Sequence, residues 1–147
     1  MTRVDRFLEM LVRFAEDNVG VGVPLTLTVG GLLVSGTIIS QKRYFDLFAD
    51  GFRQGLPAKF DTETRDQMTA NFAAWGQLTD PEADQTSTSQ DAEGKKRRAV
   101  DFIHLGNVQF FHPAARTPFL PGNVAACWRG RCDAIEGFFL GALAITD

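Results

Sequence analysis

The hydrophobic code of the chain changes period twice before its midpoint. Val4, Phe7, Leu8, Leu11, Val12 and Ala15 recur at i, i+3, i+4 and i+7, with Arg6, Glu9, Arg13, Glu16 and Asp17 between them. That spacing predicts an amphipathic helix over 3–17. Thr2 followed three residues later by Asp5 reads as a capping start, and Asn18 with Gly20 as the stop. From Pro24 the period becomes two. Leu25, Leu27 and Val29 alternate with Thr26 and Thr28, the pattern of a half-buried strand. Gly30-Gly31 supplies the positive φ of a tight hairpin turn, and Leu32 to Ser40 is the return strand, so 24–40 reads as one hairpin. Gly36 in mid-strand marks a bend or bulge.

Ser40 is a suitable N-cap for a second helix in which Tyr44, Phe45, Phe48 and Phe52 repeat at helical spacing, stopped by Gly55 and Pro57. A third helix from about Thr62 to Trp75 carries Met68, Phe72 and Trp75 along one side, so 41–78 reads as a helical insertion. Residues 79–94 hold five acids and nothing more apolar than Ala and Pro, and Lys95, Lys96, Arg97 and Arg98 follow directly. By composition 79–98 is a disordered, charged linker. The strand code returns over 99–145. Ala99 to His112 is rich in Val, Ile, Leu and Phe with a bulge signal at Gly106-Asn107. Val124 to Arg131 and Ala134 to Ile145 are two further strands.

The elements in order are helix, two strands, helical insertion, linker and three strands, in one domain spanning 1–147. The predicted fold class is α+β, mostly β: a small five-stranded SH3-like or Sm-like barrel with an N-terminal helix and a helical insertion.

Composition narrows the function classes. The 147 residues include 13 Phe against 2 Trp and 1 Tyr. Phe has no polar handle, so these rings are there for burial in a core or an interface. A net charge of −3 argues against a general nucleic-acid binder. No run approaches the length of a membrane span, and the N-terminal apolar positions are broken by charge where a signal peptide would be continuous. The expectation is a cytoplasmic protein.

Candidate chemistry is sparse. Cys127 and Cys132 with His104 and His112 do not form a zinc-binding spacing. No nucleophile elbow, phosphate-binding glycine loop or metal-binding His-Glu motif is present. No catalytic residue, metal or cofactor is expected. Trp128, Arg129 and Arg131, close to Phe138 and Phe139, pair aromatics with arginine as interfaces do. Alternation along a strand points Phe138 and Phe139 to opposite faces, so one of them is left for a covering element or a partner. Lys95 to Arg98 beside the acidic stretch could act as an electrostatic tether within or between molecules.

Four short segments, taken in order, are more specific. They are Ser35-Gly36-Thr37-Ile38-Ile39-Ser40 leading to Tyr44-Phe45-Asp46, then Phe102-Ile103-His104-Leu105, Trp128-Arg129-Gly130-Arg131, and Ile135-Glu136-Gly137-Phe138-Phe139-Leu140-Gly141. Together they make the chain, from about Leu25 to Leu143, resemble the gas vesicle accessory protein U family (GvpU). Glu136 stands where the family pattern has Asp, and the Pro-rich loop at 113–121 is not shared. The resemblance implies a non-enzymatic protein associated with gas vesicles. It would work by protein–protein contact in their assembly, organisation or clustering, through Trp128, Arg129, Arg131, Glu136, Phe138 and Phe139. Partners would be the vesicle shell or other gas vesicle proteins, and further copies of itself. The alternative from another class is an Sm-like RNA-binding module. Against it stand the negative charge and the lack of a loop combining a stacking aromatic with Asn and Arg.

Overall fold

A computed structural model describes residues 4–75, 88–90, 96–98, 100–114 and 127–143. The described chain is α+β: helices α1 (Arg6–Asp17), α2 (Gln41–Gly55) and α3 (Thr62–Trp75), with strands β1 (Val23–Val29), β2 (Leu32–Ile39), β3 (Thr88–Gln90), β4 (Lys96–Arg98), β5 (Phe102–Phe111), β6 (Trp128–Arg131) and β7 (Gly137–Leu140). Five strands form one antiparallel sheet in the order β6-β5-β2-β1-β7, while β3 and β4 pair separately.

Helix α1 starts later than its apolar spacing predicts. Its N-cap is Asp5, whose carboxylate accepts from Phe7 N at 2.7 Å and Leu8 N at 3.1 Å. An acid in that position satisfies amides that have no partner inside the helix and also suits the helix dipole. Leu8, Val12 and Ala15 are buried against the sheet. Phe7 is not: it is 55% exposed, although its spacing places it among the core positions.

The hairpin forms as its alternation requires. Val29 pairs with Leu32, and Gly30 and Gly31 take φ of 56° and 83°, the positive values of a primed two-residue turn. Leu25 and Leu27 of β1, Val34 and Ile38 of β2, and Ile103, Leu105 and Val108 of β5 meet in one core under α1. Val29 and Trp128 are partly buried against its rim. The β2–β5 ladder is interrupted between Ser35 and Thr37, which pair with Gln109 and Gly106. The extra residues include Asn107 at φ 49°, a left-handed conformation that Asn tolerates. Gly36 is required there. A Cβ at that position would lie 2.8 Å from the Gly106 carbonyl oxygen.

Strand β7 closes the other flank of β1. Pro24 cannot donate to β7, so the Gly141 carbonyl opposite it lacks the usual ladder partner. The Thr26 hydroxyl supplies the bond instead, at 2.8 Å. Gly141 N donates to Pro24 O, and Leu143 N donates to the Ser35 hydroxyl at 2.7 Å. The chain leaving β7 therefore turns back over the second face of the sheet, where Thr26 and Ser35 are buried.

The sheet is open, which corrects the expected barrel. Strands β6 and β7 are its two edges and do not pair with each other. In a flat sheet they would stand about 19 Å apart. Only residues 132–136 join them, and Cys132–Ala134 are coiled in a 3-10 turn. An extended linker of that length spans about 20 Å at most, so the short connection makes the sheet curl.

Helix α2 is capped by Ser40, whose hydroxyl accepts from Arg43 N. Glu16 of α1 accepts from Gln41 N at 2.6 Å and so caps a second amide. Helices α2 and α3 form a hairpin with Phe72 packed between Phe48 and Phe52. Met68 and Trp75 stay exposed. Within the stretch expected to be a disordered linker, Thr88–Gln90 pair with Lys96–Arg98 as an antiparallel hairpin. Residues 79–87 and 91–95 lie outside the described residues, as do the start of the strand predicted at 124–131 and the end of the one predicted at 134–145.

Glycines at two sites separate packing from backbone effects. A Cβ at Gly130 would collide with the Trp128 indole, which lies across it, whereas one at Gly55 meets nothing within 4 Å. Gly130→Val should lower the unfolding free energy by about 1–3 kcal/mol. Gly55→Ala should be neutral or raise it by up to about 1 kcal/mol. Equal unfolding midpoints for Gly130→Val and the unaltered chain would show that the indole does not rest there.

Candidate functional site

The residues singled out in the sequence fall into two groups at opposite edges of the sheet. Trp128, Arg129 and Arg131 lie on β6. Glu136 directly precedes β7, which carries Phe138 and Phe139. Their nearness in sequence reflects the short connection and does not place them on one strand pair.

At the β6 edge, register sets Arg129 opposite His104 and Arg131 opposite Phe102. The Arg129 guanidinium covers the Phe102 ring at 3.6 Å and approaches Phe45 at 5.6 Å. Its Nε donates to His104 Nε2 at 3.2 Å. This fixes His104 as the neutral tautomer with its proton on Nδ1. Tyr44 and Phe45 of α2 pack on the imidazole, with the Tyr44 ring 4.8 Å away. His104 is fully buried and its Nδ1 has no hydrogen-bond partner among the described residues. Burial first and the Arg129 charge second push its pKa down to about 4. Three of the four specific segments supply its members, but the sequence does not bring them together, because the cluster depends on the β5–β6 register and on α2 folding back over the sheet. Arg131 bonds Asp133.

At the β7 edge, Phe138 faces the core and stacks on Phe7 of α1 at 5.9 Å. Phe139 points to the other face and is 47% exposed, as alternation along a strand requires. Leu140 is 73% exposed. Glu136 accepts from Gly30 N at 2.8 Å, which turns it toward the β1–β2 turn. Met10 and Phe14, on the same flank of α1 as Phe7, are also exposed. The helical pattern contained this second stripe: residues 7, 10 and 14 widen the apolar arc beyond what a single buried face needs.

Nucleophilic and metal chemistry finds little to use. Burial, reinforced by Asp101, Glu9 and Asp133, raises the Cys132 thiol to about 12, and burial also raises Cys127. Both are protonated and unreactive at neutral pH. Among the described residues no group of three or more His, Cys, Asp or Glu could hold a metal ion, and no helix is long and apolar enough to cross a membrane. The side chains of Lys96, Arg97 and Arg98 lie outside what is described.

His104 makes the fold acid-sensitive in a definite window. Its folded pKa lies below the ordinary 6.5, so between pH 6.5 and about 4 the unfolded chain takes up a proton that the folded chain refuses. Stability therefore falls as pH drops through that range. In His104→Phe, which keeps a ring among Tyr44 and Phe45, the stability–pH slope there should be shallower by up to about 1.4 kcal/mol per pH unit. Superimposable slopes from chemical denaturation would show that His104 is not held neutral.

Comparison with known proteins adds an independent line. A family model described as Gas vesicle protein GvpU-like matches residues 5–143, spanning α1, the whole five-stranded sheet and both edge groups. No curated protein and no solved structure matches the chain. With nearly its whole length matched, the chain belongs to the GvpU-like family of gas vesicle proteins.

Proposed function

We propose that the protein acts by protein–protein contact on gas vesicles, in their assembly, organisation or clustering, with no chemical transformation of its own. The observation that carries this reading is the apolar end built by α1 and β7, where Phe7, Met10, Phe14 and Leu140 are exposed on the α1 side and Phe139 on the opposite face of the same edge strand. Isolated exposed apolar residues are ordinary, but a group on adjoining elements marks an interaction surface. The partners that suit it are the vesicle shell or other gas vesicle proteins. At the opposite edge, Trp128, Arg129 and Arg131 offer an aromatic–arginine contact of a more polar kind. The acidic run up to Gly94 and the basic run Lys95, Lys96, Arg97 and Arg98 fit an electrostatic tether between neighbouring molecules.

The two kinds of contact differ in their response to salt. Apolar docking should persist at high ionic strength. Pairing of exposed charges should fade as the Debye length shrinks to about 3 Å at 1 M. Co-sedimentation of the purified protein with gas vesicles should thus survive 1 M salt, while clustering of vesicles by it should not. Phe139→Ser should reduce the bound fraction with little change in the unfolding midpoint. Tight RNA binding with no affinity for vesicles would contradict the reading and favour the Sm-like alternative.

A further inference from the structure

The two edges of the sheet are not equivalent. Along β6 the exposed side chains are Arg129 and Arg131. Charged residues on an edge oppose pairing with another strand, because pairing would strip water from them. Strand β7, Gly137-Phe138-Phe139-Leu140, is short but has no charge and no proline, so two of the usual guards against strand addition are missing. Its backbone is also available. The in-register bond from Gly141 N to Pro24 O sets the alternation. Gly137 and Phe139 turn their amides and carbonyls to β1, while those of Phe138 and Leu140 face outward. Among the described residues no strand lies beyond β7. The chain that follows it runs the other way, inward over the sheet, to bond Ser35.

From this we infer that β7 is the site at which two copies of the chain join, β7 against β7 in antiparallel register about a two-fold axis. The occupant follows from the edge's own chemistry. A strand added there must bring uncharged, apolar side chains and a free edge of similar length. Of the two edges of the five-stranded sheet, β6 would set arginines beside Phe138 and Leu140, whereas β7 matches itself; β4, Lys96–Arg98, is as basic as β6 and β3, Thr88–Gln90, is polar throughout. A two-fold axis is the ordinary symmetry for a self-complementary patch. It would also bring the Phe7–Met10–Phe14 flank of each α1 toward its counterpart, because Phe7 already stacks on Phe138. The area is of the right order. Phe7, Met10, Phe14, Phe139 and Leu140 are each roughly half exposed or more. At about 150–250 Å² for a large apolar side chain they offer roughly 500 Å² per copy. The strand backbone adds to this, toward the about 800 Å² per partner of a stable interface. The sheet would become continuous across ten strands, with the guarded β6 edges outermost.

The inference rests on the reading of this protein as a contact module. It is tested on the purified full chain with no vesicles present, so failure to dimerise and failure to bind vesicles are separate results. Sedimentation equilibrium should show a monomer–dimer equilibrium with a micromolar or tighter constant. Leu140→Lys alters a side chain that is 73% exposed and should leave the circular dichroism of the monomer unchanged. It should weaken the dimer about tenfold or more, since about 1.4 kcal/mol suffices for that and burying an unpaired ammonium costs more. Arg129→Ser with Arg131→Ser should leave the dimer intact. Amide exchange at Phe138 and Leu140 should slow as concentration rises. A wild-type monomer at all concentrations, a dimer indifferent to Leu140→Lys, or a dimer lost only with the β6 substitutions would each overturn the proposal. So would concentration-independent protection of these amides in a monomer, which would assign the edge to another segment of the same chain.

Discussion

The pairing of β1 with β7 holds the rest of the fold in place. It joins residues more than a hundred positions apart and leaves three consecutive residues of β1, Leu25, Thr26 and Leu27, without solvent exposure. The leucines are covered by α1 and Thr26 by the returning chain. The Thr26 hydroxyl lies at the centre, donating to Gly141 O and hydrogen-bonded to the Ser35 hydroxyl, so that a buried polar group and the carbonyl opposite Pro24 satisfy each other. Leaving either unpaired in that position would cost about 1–3 kcal/mol. With β7 fixed to one side of β1 and β2 to the other, the hairpin becomes the middle of the sheet. The two edges are then defined as β6 and β7.

Much of this was legible from local pattern, and the failures have a common cause. The amphipathic arc of α1, the Gly30-Gly31 turn, the Ser40 cap and the bulge opposite Gly36 all depend on a few neighbouring residues, and each appears where the pattern places it. Strand order, closure and the true length of the last two strands depend on distant partners, which periodicity does not encode. The barrel expectation failed there. Residues 124–145 read as two long strands because Trp128 and Phe138-Phe139-Leu140 stand among small and apolar residues with little charge beyond Arg129 to Glu136. Among the described residues the two strands are four residues each, and Cys132–Ala134 form a 3-10 turn between them. For the candidate site, the opposite facing of Phe138 and Phe139 follows from alternation. The placement of Arg129 and Phe139 on opposite edge strands does not.

The two edges also differ in how their aromatic residues are used. At β6 the rings of Phe102, Phe45 and Tyr44 are engaged with Arg129 and the buried imidazole of His104. The cation covers an aromatic face and the edge stays charged. At β7 and on α1 comparable rings lie at the surface with no cation over them in the described contacts. A chain rich in Phe and nearly lacking Tyr suits this division. Phe is used either in a dry core or where another apolar surface will cover it.

That surface is the centre of the account, and amide exchange on the chain bound to gas vesicles, compared with the free chain, tests it most directly. Slowed exchange confined to residues 7–14 and 137–141 is the predicted footprint. A footprint on β6 or on the α2–α3 hairpin, with α1 and β7 exchanging as they do in the free chain, would contradict it.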